Sequence, residues 1–70
     1  MADDLNARIS DAHARNDKDG LIKLYHQAAQ DSQDADETCF FLTYAYIFAL
    51  ETGHPLTHDL AQKLQSYGRL

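Results

Sequence analysis

A nearly continuous apolar stretch, residues 39–50, constrains this chain more than any other feature, and only Thr43 interrupts it. Twelve residues are too few to cross a bilayer, which requires about 20. The surrounding run also continues for many positions without a turn residue, whereas strands usually have about 3–10 residues. We therefore predict a long helix that begins after a cap at Asp34 and ends near Thr52.

A β-strand is the alternative for residues 40–48, because aromatic residues are common in strands. At a period of two, one face of such a strand would carry Phe40, Leu42, Tyr44, Tyr46 and Phe48. No second strand is predicted that could pair with it, and a lone strand leaves its backbone hydrogen bonds unmade. The alanine and leucine residues of the segment also favour a helix.

Apolar residues recur at helical spacing in three other segments, which gives four predicted helices in all. The three segments cover approximately residues 4–15, 17–30 and 56–67. Their apolar stripes are Leu5, Ile9 and Ala12; then Leu21, Leu24, Tyr25 and Ala28; and finally Leu56, Leu60, Leu64 and Tyr67.

Capping residues mark the ends of these helices. Asp34 and Glu37 have the spacing of a capping box, with Ser32 as the competing cap. The first helix has Asp3 or Asp4 as its cap, the second has Asn16 or Asp17, and the fourth has Pro55 in its first turn or Thr57 as its cap. Gly53 and Gly68 are expected to end the third and fourth helices.

We predict an all-α fold, a small bundle of three to four short antiparallel helices that forms one domain over residues 1–70. Residues 1–16 would form a first helix that packs last or is available to a partner. The expected core is Leu21, Leu24, Tyr25, Leu42, Ala45, Phe48, Ala49, Leu60 and Leu64.

The net charge of −5 and the single cysteine exclude several classes of protein. Residues 1–37 carry nine acids and four bases, a balance of −5, so we expect neither nucleic-acid binding nor attachment to anionic membranes. One cysteine cannot form an internal disulfide. A thiol without a partner is typical of a reducing compartment, and we expect a cytoplasmic protein.

The third helix is the candidate interaction surface. It carries five of the seven aromatic residues, more than three narrow apolar stripes can cover. We predict that Phe40, Tyr44, Ile47 and Phe41 form an interface with a second copy or a protein partner, since aromatic residues are enriched in such contacts. The alternative is that all five rings belong to the core.

Histidines offer the second candidate site. His54 and His58 have the spacing of paired zinc ligands, with Asp59 as a weak third ligand, but Pro55 places His54 at or before the helix start. We therefore predict no metal and no cofactor. Cys39 lies near a helix start, where a thiol is activated, but catalysis would also require a base such as His26 or His58.

Two further motifs fail. The acidic segment that begins at Asp31 lacks the glycine and glutamate of a calcium loop, and a 34-residue helical-hairpin repeat aligns polar residues with its core positions. The sequence thus predicts a non-enzymatic interaction module that self-associates through an aromatic helix face. The alternative is a small metal- or ligand-binding regulatory protein that uses His54 and His58.

Overall fold

The computed structural model describes residues 2–70, with side chains described from Leu5 onward. Four helices account for most of this part: α1 (Ala2–Ala14), α2 (Lys18–Asp31), α3 (Ala35–Thr52) and α4 (Thr57–Ser66). The all-α prediction is confirmed, and every boundary lies within two residues of its predicted position. The strand alternative for residues 40–48 is wrong, because the whole segment lies inside α3.

The helices form a thin antiparallel array in chain order. The connections have only three or four residues, and each helix packs directly against its neighbours in the chain, most extensively α2 against α3. The Cα positions extend over 30 × 28 × 13 Å. In so thin an array, α3 is flanked by α2 and α4, and no element within residues 2–70 covers its far side.

One apolar core joins all four helices. Eight of the nine predicted core residues are buried, and α1 adds Ala12. Phe48 is the exception, since it packs at the edge of the core and remains partly exposed. Ile22 is fully buried, although it is outside the predicted set. Leu5 and Ile9 of α1 pack, partly buried, against the same core.

Side-chain caps start α2 and α3. The Gly20 N–H donates to Asp17 Oδ1 at 3.0 Å, and the Glu37 N–H donates to Asp34 Oδ2 at 3.0 Å. The predicted capping box is modified, because the Glu37 carboxylate accepts from Ser32 Oγ at 2.9 Å. Asp34 is therefore the cap, and Ser32 ties the preceding connection to the first turn of α3.

The remaining helix ends differ in part from the prediction. Gly53 and Gly68 have the positive φ expected after α3 and α4. Asp3 and Asp4 fall inside α1, and their side chains lie outside the described residues. Pro55 precedes α4 rather than opening it, and Thr57 is the first helical residue rather than a cap, since its hydroxyl donates back to the His54 carbonyl at 2.7 Å.

Candidate interaction surface

Four apolar side chains of α3 are exposed on one side of the helix: Phe40 at 54%, Tyr44 at 40%, Ile47 at 46% and Leu50 at 55%. We call these four residues the α3 outer face. At 100° per residue they lie within an arc of about 120°, and Phe40 and Leu50 are about 15 Å apart along the axis. The opposite side carries the buried residues Leu42, Ala45 and Ala49.

Between residues 38 and 50, α3 is apolar on both sides because Thr38 and Thr43 are the only polar residues of this segment besides its two tyrosines. No charged residue occurs among residues 38–50. In a typical surface helix, charged and polar residues occupy the side away from the core. Asp36 and Glu51, each in an ion pair, stand at the two ends of this side, and between them the α3 outer face is apolar where solvent-facing charge is expected.

Ring contacts fix the geometry of the aromatic half of this face. The Tyr44 ring stacks on Tyr25 of α2, with centroids 5.4 Å apart, and Phe40 meets Tyr44 edge-on at 4.9 Å. Tyr25 is buried, and burial, with a smaller contribution from Tyr44, raises the pKa of its phenol. The exposed rings are therefore held in position by a buried one.

Three of the four predicted interface residues, Phe40, Tyr44 and Ile47, lie on the α3 outer face. Phe41 does not, because it is turned by about 100° from Phe40 and packs, partly buried, near Tyr25. Leu50 was missed, although its position three residues after Ile47 indicates the same side of a helix.

A hollow of about 300 Å³ adjoins the aromatic half of the face. Phe40, Thr43 and Tyr44 form one wall, and Arg69 forms another. An ion pair between Arg69 and Asp36 holds the chain end beside the first turn of α3. This hollow lies next to the exposed rings and has room for an apolar side chain of a partner.

The structure does not place His54 and His58 on a common helical face, since α4 begins only at Thr57. His54 Nδ1 accepts the Leu56 N–H at 3.1 Å, and its Nε2 lies 2.8 Å from Asp19 Oδ1. Both ring nitrogens therefore make contacts within the chain. Among the described residues, no group of three His, Cys, Asp or Glu side chains is arranged to hold a metal ion.

Cys39 is 2% exposed and borders the same hollow as Arg69. Of the two bases considered for it, His26 and His58, the first is engaged with Lys63, whose ammonium donates to His26 Nε2 at 2.9 Å. A buried thiol of this kind is typical of a packed core residue.

None of the helices described is both long enough and apolar enough to cross a membrane. No family model, curated protein or solved structure matches the chain. The functional argument therefore depends on the geometry of the chain itself.

Proposed function

We propose that this protein is a non-enzymatic interaction module that self-associates through the α3 outer face. One observation carries the proposal: four apolar side chains, each 40% exposed or more, share one side of the part of α3, residues 38–50, that carries no charge. A contact that covers them removes apolar surface from water, which contributes about 25 cal/mol per Å². We place this activity in the cytoplasm, where a single thiol stays reduced.

A second copy is the partner that this surface favours. The chain carries a net charge of −5, all of it from residues 1–37, so two copies repel each other through the surface that these residues form. Residues 38–50 carry no charge, which makes this strip the place where two copies can approach without burying like charges.

The distribution of side chains along α3 favours an antiparallel two-fold contact. In an isologous dimer the same surface serves both partners. An axis near Ala45 then places Tyr44 opposite the partner's Ile47, so that the Tyr44 ring of each copy meets the Ile47 side chain of the other. Leu50 and Thr43, which borders the hollow, lie on the same flank of α3, about 10 Å apart along the helix axis, so the two-fold axis also directs Leu50 towards the partner's hollow.

Sedimentation equilibrium from micromolar to millimolar concentration tests the proposal. We expect the mass average to rise towards a dimer with concentration. Tyr44→Ala should weaken association at least about 30-fold, the loss of a hot spot worth about 2 kcal/mol. Tyr67→Ala is the matched control, since this tyrosine is 46% exposed and directly follows the last residue of α4. A wild-type chain that stays monomeric throughout would refute self-association.

A further inference from the structure

A second concave site lies on the inner side of α3, away from the α3 outer face. It is a cleft of about 370 Å³ between α2, α3 and α4. The cleft stays open because α2 and α4 flank α3 and, within residues 2–70, approach each other only through side chains. Its volume is in the range of small-molecule sites, about 300–1,000 Å³.

The floor of the cleft is formed by buried residues that need no further polar partner. Leu42 and Ala29 provide its apolar part. Thr38 lies beside them, and its hydroxyl donates to the Ala29 carbonyl at 3.5 Å. The ring of Tyr67, about half exposed, forms one side. A flat apolar group of a ligand can therefore contact both the apolar floor and the Tyr67 ring.

The rim holds a lysine with an unusual partner. Lys63 Nζ lies 2.9 Å from His26 Nε2 and within ion-pair distance of no carboxylate among the described side chains. Four other basic residues of this acidic chain do have a carboxylate partner: Arg15, Lys18, Lys23 and Arg69. A lysine ammonium has three donors, so two stay available after the bond to His26.

We propose that this cleft binds a small organic monocarboxylate. Its carboxylate would bind Lys63, and its apolar group would lie between Leu42 and Tyr67. A single ammonium offsets a single negative charge. A dianion such as a phosphate monoester would bring a second charge that meets no cation at the rim while His26 is neutral, against a net protein charge of −5.

Binding is coupled to the protonation of His26. Burial, and then the Lys63 ammonium, lower the pKa of this imidazole, while Asp59 acts in the opposite direction. The α3 residues that line the cleft, Thr38 and Leu42, carry no charge. A carboxylate bound at Lys63 offsets the ammonium, so it raises the pKa of His26 and binds more tightly as the pH falls towards 6.

Benzoate is the test ligand. Its binding is measured by two-dimensional NMR at pH 6.5, and the ring signals of His26 are recorded to follow the pKa of this residue. We expect saturable shifts confined to the cleft, with Kd on the order of 1 mM, and a higher pKa of His26 in the complex. Benzamide, its neutral isostere, should bind at least about tenfold more weakly, because a charge-assisted bond is worth about 1.5 kcal/mol or more. Phenyl phosphate should also bind more weakly than benzoate, because its second negative charge meets no cation at the rim while His26 is neutral.

Lys63→Met should reduce benzoate affinity at least about tenfold, whereas Lys23→Met, on α2 and paired with Asp19, should leave it unchanged. Asp59→Asn should tighten binding, because it removes a carboxylate whose charge acts on His26 at the rim. The proposal is overturned if benzoate and benzamide bind equally, if Lys63→Met has no effect, or if no saturable shift is found on the order of 10 mM. Tyr67→Ala should weaken benzoate binding and leave self-association unchanged. The carboxylate site and self-association through the α3 outer face are therefore tested separately.

Discussion

The rings of Tyr25 and Tyr44 lie stacked, with centroids 5.4 Å apart and planes inclined by 19°. Tyr25 is buried in α2, and its hydroxyl lies 2.9 Å from His13 Nε2 of α1. Tyr44 is exposed on α3, so this pair connects the core with the α3 outer face. An exposed ring held in this way loses little conformational entropy when a partner covers it.

The antiparallel register predicts the behaviour of two charge variants, Tyr44→Lys and Ile47→Glu. Each alone should stay folded but lose association more than about 30-fold, since it places an unpaired charge in the contact, at a cost of about 2 kcal/mol or more. An equimolar mixture should regain a heterodimer, because the new ammonium at position 44 then faces the new carboxylate at position 47. Sedimentation of the mixture measures this directly.

The same mixture distinguishes the register from self-association as such. In a parallel contact, positions 44 and 47 each face their own counterpart, so no new pair forms. Loss of association in both single variants without recovery in the mixture would contradict the antiparallel arrangement. It would leave the α3 outer face as the site of contact. Circular dichroism of each variant provides the control for folding.

The cap at Asp34 should contribute measurably to stability. Asp34→Ala removes the acceptor of the Glu37 N–H and should lower the free energy of unfolding by about 1 kcal/mol. Asp31→Ala is the control, since Asp31 is the last residue of α2, where a negative charge opposes the helix dipole. Urea denaturation at fixed protein concentration should show little loss, or a small gain, for the control. Equal losses would contradict the capping role.

His54 should be a structural residue whose removal destabilises the bundle. His54→Ala abolishes the acceptor of the Leu56 N–H and the contact with Asp19, and we expect a loss of about 2 kcal/mol. His58→Ala, exposed on the first turn of α4, should change stability by less than about 0.5 kcal/mol. Thermal or urea unfolding of both variants measures the difference, and similar values for the two would disprove this role.

Stability should fall in mild acid because of His26. Its pKa in the folded chain lies below the ordinary value of 6.5, so the unfolded chain takes up the proton first as the pH falls. The contribution of neutral His26 to the free energy of unfolding is complete above pH 6.5. It is lost as the pH falls through the pKa that His26 has in the folded chain. His26→Gln keeps an acceptor for Lys63 and should show a smaller loss of unfolding free energy between about pH 7 and pH 5. An unchanged slope would contradict this assignment.

The sequence by itself determined the helices, because helical spacing, the Asp34 cap and the glycines after α3 and α4 act over a few neighbouring residues. It also predicted that Phe40, Tyr44 and Ile47 share one side of α3, since that follows from 100° per residue. Burial of Leu42 or exposure of Leu50 depends on which side the neighbouring helices cover, and residues distant in sequence decide this. The same holds for the Tyr25–Tyr44 stack and the cleft between His26 and Lys63, where α2 meets a helix 37 residues further along the chain. Only the thin packing of the four helices left one side of α3 open and the cleft without a cover.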